Sequence, residues 1–234
     1  MKLAIMQPYF FPYIGYFQLI AAVDLFVVYD DVNFIKNGWI NRNRILVNGE
    51  PRYVNVAIRG ASSFRAIKGT AIDPSSIWRE KLLKSVEYNY KRAPCFQSAF
   101  PVISDIIRFP SSELSEYLLN SIKGILQYLK IGTTLVVSSA TYGNDDLRAQ
   151  ERIIDICRRE GATEYINAIG GMALYRKDDF ARNGIQLRFL KSLMPFYGQF
   201  SEHFVPALSI IDVMMFNSVE TITRMLGRYE LVEN

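Results

Sequence analysis

Apolar residues follow two rhythms along this chain: short unbroken runs, and stretches in which they return every three or four positions. Residues 3–6 and 25–29 are runs of strand length, and such near-continuous apolar runs mark strands buried on both faces of a parallel sheet. Between them, residues 13–23 set Ile14, Phe17, Ile20 and Ala21 on one face of a helix. Gln7-Pro8 ends the first run, because proline cannot donate to a sheet ladder. The opening therefore predicts one β-α-β unit that closes on Asp30-Asp31.

After Asp31 the pattern breaks into short β pieces at residues 32–35, 45–47 and 53–58, with Asn48-Gly49 as a hairpin signal between the last two. Residues 59–70, rich in glycine, serine and basic side chains, read as a mobile loop. From Asp73 the period becomes helical. Asp73-Pro74-Ser75-Ser76 offers caps ahead of residues 77–88, Ser111 or Ser112 offers one ahead of residues 114–129, and Pro94 and Pro101 limit what lies between them to short helices. Strand and helix then alternate: strand 134–137, helix 146–160, strand 164–166, Gly170-Gly171, helix 175–183, strand 185–189, and a helix capped by Ser209. The order predicts an α/β chain with a three-layer Rossmann-like parallel sheet. Residues 32–70 form a small antiparallel β insert with its basic loop, residues 74–130 form a helical segment, and residues 1–234 make up one domain.

Composition narrows the class. Half of the 234 residues are apolar, enough for a sizeable core, yet no run is long enough to span a bilayer, so a cytoplasmic protein without membrane insertion is expected. Cys95 and Cys157 have no close companions, which suggests neither a zinc site nor a disulfide framework. The net charge of +4 is modest, but Lys36, Arg42, Arg44, Arg52, Arg59, Arg65 and Lys68 crowd one segment with Glu50 as its only acid. Such a cluster suits an anionic ligand. No nucleic-acid-binding module is legible, so nucleic acid is not the expected partner. No GxSxG elbow, P-loop or GxGxxG follows a strand, and with one histidine no metal-ligand cluster is predicted.

In open parallel sheets a ligand sits beyond the carboxyl ends of the strands, which puts residues 7–12 and Asp30-Asp31 on the functional edge. The helix beginning near Tyr13 turns its free backbone N–H groups to the same edge. Tyr9, Phe10, Phe11 and Tyr16 either line a pocket there or pack under the loop. Tyr13-Ile14-Gly15-Tyr16 occupies the place where nucleotidylyl transferases of the HxGH class carry two histidines. Both are tyrosine here, and neutral phenols supply no imidazolium charge. On an extended strand, Trp39, Asn41 and Asn43 would share one face and Arg42 and Arg44 the other. His203 lies in a polar loop after the last predicted strand, and Asp212 stands in the first turn of the Ser209 helix, where capping alone could explain it. Asp30 and Asp31 suit either a general base or a Mg2+ site on a diphosphate.

Four blocks carry a wider resemblance: residues 7–20 (QPYFFPYIGYFQLI), 24–45 (DLFVVYDDVNFIKNGWINRNRI), 165–175 (YINAIGGMALY), and the pair PFYGQF and LSIIDVMMFN near the end. In order and over nearly the whole length, these resemble the WbqC-like family of bacterial proteins. Gly38 stands where the usual pattern has serine before the tryptophan. The resemblance implies a place among O-antigen and other surface-polysaccharide cluster proteins, and so a role in making or decorating an activated sugar. It carries no catalytic assignment. The expectation is a transferase that moves an acyl or aminoacyl group to the amino group of a nucleotide-linked sugar. Lys36, Arg42 and Arg44 would hold the diphosphate, Tyr9, Tyr16 and Trp39 would stack on base or sugar, and Asp30, Asp31 or His203 would take the proton. Asp212 and Gln199 would line the same cavity, with Gln7, Asn43 and Tyr197 completing the binding set. A nucleotide-sugar-binding scaffold without catalysis and a metal-dependent glycosyltransferase stay open as alternatives, as do Mg2+, the acyl donor and homo-oligomerisation.

Overall fold

The computed structural model describes residues 1–233. Six strands form one sheet in the order β5-β2-β1-β6-β7-β8, made of β1 (Lys2–Met6), β2 (Leu25–Val28), β5 (Thr134–Val136), β6 (Glu164–Ala168), β7 (Gln186–Ser192) and β8 (Tyr229–Val232). The first five are parallel, and β8 closes one edge antiparallel to β7. A separate antiparallel hairpin joins β3 (Arg42–Val47) to β4 (Glu50–Asn55). Its turn is Asn48-Gly49, both at positive φ (52° and 82°), as a two-residue turn with two left-handed positions requires.

Alternate residues of each central strand feed two cores. Ala4, Phe26, Val28, Ile166 and Leu190 face the larger one, with α1 (Ile14–Ala21), the helical segment and the C-terminal helices. Leu3, Ile5, Leu25, Val27, Tyr165, Leu187 and Phe189 face the smaller, covered by α5 (Ala149–Arg159) and α6 (Lys177–Ala181). All four residues of β2 are buried. The unbroken apolar runs therefore report a sheet covered on both faces.

The helical segment comprises α2 (Ile77–Tyr90), α3 (Phe96–Arg108) and α4 (Leu114–Leu129). The break expected at Pro101 is absent, because α3 runs through it. Ala99, Ile103, Ile106 and Ile107 are buried, and that packing outweighs the backbone hydrogen bond a proline removes. Glu113, rather than either serine, caps α4, accepting from Glu116 N at 2.7 Å. Residues 32–35 do not form a strand; Asn33 makes a single bridge to Ala66. The expected helix at 175–183 shrinks to α6 behind a 3-10 turn at Ile169–Leu174. After α7 (Ile210–Phe216), the tail adds α8 (Val219–Leu226) and β8, which the apolar pattern did not reveal. Among the described residues, no helix is long and apolar enough to cross a membrane.

Candidate functional site

Strand order reverses between β1 and β6: the chain leaves β1 toward β2 and β5 on one side, and leaves β6 toward β7 and β8 on the other. Two parallel neighbours whose connections depart in opposite directions leave a crevice at their carboxyl ends. A cavity of about 530 Å3 lies there. Met6 and Gln7 from β1 and Asn167 and Ala168 from β6 form its base, and Tyr9, Tyr13 and Tyr16 form the wall that rises into α1. Tyr29 enters from the end of β2, Ile35 and Trp39 from the segment before β3, and Gly170, Gly171 and Tyr175 from the turn after β6.

Local constraints shape this lining. Phe11 adopts φ 40°, strained for a bulky residue, and is held there because its carbonyl accepts from Asn43 Nδ2 (2.8 Å) and Ser209 Oγ (2.8 Å). Ile210 N donates to Pro12 O, so the start of α7 pins the same loop from behind. Phe10 and Phe11 are fully buried, while Tyr9 is partly buried at the cavity and tilts against Tyr16, ring centres 5.6 Å apart. Tyr16 Oη donates to Gln7 O at 3.0 Å. Gly15 has a steric reason: a Cβ there would clash with the edge of the Tyr13 ring, 2.4 Å from its Cε2. Likewise a Cβ on Gly171 would lie 2.6 Å from Asn167 Nδ2.

The phenols carry the polarity of this wall. Burial pushes Tyr9, Tyr13, Tyr16 and Tyr175 above the ordinary tyrosine range, and Tyr29 as well, against the opposing pull of Arg152. Each is therefore a neutral hydroxyl near pH 7, unable to act as an anionic base, and the proton of Tyr16 is already given to Gln7 O. Among the described residues, no carboxylate, histidine or cysteine lines the cavity. A side cavity of about 160 Å3 shares Tyr9, Tyr13 and Trp39 with it and adds Asn43 and Arg44. Arg44 stacks 5.9 Å from Trp39 and reaches Ala207 O at 3.3 Å.

The structure brings together Gln7, Tyr9, Tyr16, Trp39, Asn43 and Arg44 of the residues singled out from the sequence. Asn43 acts through the loop it clamps, donating also to Phe10 O. The other residues lie apart. Asp30 is 2% exposed, and its carboxylate accepts from Ser115 Oγ (2.5 Å) and Ser138 Oγ (2.7 Å). Asp31 pairs with Arg152 at 2.5 Å and accepts from Ser139. Arg152 also donates to Asn144 at 3.0 Å, and its guanidinium lies 5.1 Å from the centre of the Tyr29 ring. Asp31, through Arg152, thus braces Tyr29 of the wall from outside, and Asp30 is engaged elsewhere. Among the described residues, no three His, Cys, Asp or Glu side chains converge as a metal site.

Asp212 is fully buried and accepts from Tyr90 Oη (2.8 Å), Tyr197 Oη (2.7 Å) and Gln199 Nε2 (2.8 Å), so it, Tyr197 and Gln199 form a closed cluster outside the cavity lining. Burial raises its pKa despite the three donors. Ser209 caps α7 as expected, accepting from Ile211 N. His203 is exposed on its loop, and Lys36 is exposed beside the cavity mouth. Arg42 folds back on Asn37 and Gly38 and over the ring of Tyr53. Trp39 does not share the face of Asn43: the chain bends before β3, and the indole lies with Arg44 and Tyr53. Tyr29, Asn167 and Tyr175 were not singled out from the sequence, and Tyr13 was noted there only for the charge it lacks. Three of the four stand at or just beyond a strand end or at the start of a helix, a positional signal that was available.

Comparison with known proteins identifies the family. The model of the WbqC-like protein family matches residues 7–224. The chain is 32% identical over 219 residues to the uncharacterized protein Rv1507c of Mycobacterium tuberculosis, covering 91% of this chain and 92% of that protein. No solved structure matches. With its family pattern spread over nearly the whole length, this chain belongs to the WbqC-like protein family.

Proposed function

We propose that the cavity between β1 and β6 binds a nucleotide-linked sugar and that the protein is a transferase of surface-polysaccharide biosynthesis, moving an acyl or aminoacyl group to an amino group of that sugar. One observation carries the proposal: an aromatic cavity of about 530 Å3, within the range of small-ligand sites, at the point of a parallel sheet where such ligands bind. Trp39 and the tyrosines offer faces for a base or sugar ring, and Arg44 in the adjoining recess offers a cation for a phosphate. The chemistry this lining favours is positioning. An amine in its free-base form is its own nucleophile: it attacks the acyl carbonyl, and the bond from that carbon to the donor's leaving group breaks with its electron pair. The proton the amine sheds goes to the departing group or to water, while protonated phenols can donate to the carbonyl oxygen that gains charge. Asp30, Asp31, Asp212 and His203 have no direct part in this version.

A second reading, binding without catalysis, draws on the same lining, which among the described residues holds no carboxylate, histidine or cysteine. Metal-dependent glycosyl transfer draws no comparable support, since the oxygens of Asp30 and Asp31 are engaged by Ser115, Ser138, Ser139 and Arg152. Calorimetry with nucleotide-linked amino sugars, followed by incubation with acyl donors and mass spectrometry, separates the readings. Binding with a mass gain on the sugar supports transfer, binding alone supports the scaffold, and no binding by any nucleotide-sugar removes both.

A further inference from the structure

The cavity adjoins an exposed apolar surface with which it shares Ile35 and Trp39. Phe64 is 96% exposed, and Ile35, Trp39 and Tyr53 are 52%, 42% and 55% exposed. A lone exposed apolar side chain is ordinary, whereas four within one short insert are a pattern. The backbone gathers them. Phe34 N donates to Arg65 O and Ile67 N to Val32 O around the Asn33–Ala66 bridge, so Ile35 and Phe64 leave this antiparallel pair at the same end. Trp39 lies 6.2 Å from Tyr53, ring centre to ring centre, and lines the cavity together with Ile35.

Basic residues are interspersed with these positions along the insert. Lys36, Arg52, Arg59, Arg65 and Lys68 are exposed, and none of them pairs with an acid among the described residues. Glu50 is the one acid between Lys36 and Lys68. Bulky apolar tips set among uncompensated cations fit the boundary region of an anionic bilayer. There, aromatic rings lodge at headgroup depth while Lys and Arg meet phosphates. The geometry of Phe64 favours this partner over a protein. A ring standing free at a loop tip needs a shaped hole in a folded partner, but enters a fluid headgroup layer without one.

We propose that the β insert is a peripheral docking surface for membranes rich in anionic lipid, holding the cavity mouth at the bilayer surface. The proposal stands apart from the nucleotide-sugar reading and does not need it. The test is sedimentation of the full chain with vesicles of phosphatidylcholine alone and of phosphatidylcholine mixed with phosphatidylglycerol. The protein should sediment with the anionic vesicles only, and salt should release it. Arg59→Gln and Arg65→Gln should each weaken binding about five-fold, in line with one surface charge apiece. Phe64→Ser should also weaken it, and because the side chain is exposed its thermal unfolding should match that of the wild type. Tryptophan emission should shift to the blue on binding, and Trp39→Phe should abolish the shift. Failure to sediment, or binding insensitive to Phe64→Ser, overturns the proposal. So does equal, Phe64-independent binding to duplex DNA or an acidic polypeptide, which would mark the patch as a general polyanion site.

Discussion

The cavity at the ends of β1 and β6 and the cluster around Asp212 are built from the same materials, tyrosines with an amide, yet they are opposites. In the cluster, Tyr90, Tyr197 and Gln199 all donate to one fully buried carboxylate, and Tyr90 Oη accepts in turn from Leu46 N. Nothing is left over for a ligand. In the cavity, Tyr9, Tyr13, Tyr16 and Tyr29 surround open space with no acid among them. The contrast teaches that a polar residue type says little about function until its partners are counted. A buried polar group with a full set of partners stabilises, and one that faces a cavity is available to bind.

The largest expected effect falls on the closed cluster. Asp212→Ala leaves two buried hydroxyls and an amide without their acceptor and should lower unfolding free energy by about 3 kcal/mol, read by urea denaturation. Asp212→Asn sharpens the point through pH. Because the native pKa of Asp212 is raised, its favourable contribution is fully present below the ordinary aspartate value of about 3.9 and is lost as pH rises through the native value. The stability difference between wild type and Asp212→Asn should therefore vary across that window and flatten above it. Were the difference constant from acid to neutral pH, the carboxylate would not be the desolvated group described here.

Next comes the brace behind Tyr29. Arg152→Met should cost about 2 kcal/mol, since it leaves Asp31 without its cation, and the double variant with Asp31→Asn should recover part of the loss. Full additivity in that cycle would argue against a functional pair. The cavity should behave the other way round. Trp39→Ala should weaken nucleotide-sugar binding about ten-fold with little change in thermal stability, because the indole is 42% exposed. The smallest effect is expected for Gly15→Ala. Its Cβ displaces the Tyr13 ring, so affinity should fall a few-fold, while stability changes by less than about 1 kcal/mol.

Some of this was legible from single residues and their neighbours. Asn48-Gly49 declared a hairpin, Ser209 declared a cap, and the runs at 3–6 and 25–29 declared buried parallel strands, because turn, cap and strand preferences are satisfied within a few positions. The importance of residues 7–16 followed from their place after the first strand. The acid pair misled for a reason that proximity in sequence cannot reveal: the groups that consume Asp30 and Asp31 lie 85, 108 and 121 residues away, at Ser115, Ser138 and Arg152. Asp212 misled in the same way, with Tyr90 at a separation of 122.

The chain's local chemistry, then, determined by itself most of the strands, helices and turns, though not α8, β8 or the course of α3 through Pro101, and it pointed to the carboxyl edge of the sheet. Those features rest on backbone preferences and side-chain periodicity, which act over a few residues. Which carboxylates are pinned inside the protein and which hydroxyls face open volume was decided only by the tertiary structure. Hydrogen bonds and ion pairs are satisfied by whatever the fold brings within about 3 Å, without regard to distance along the chain.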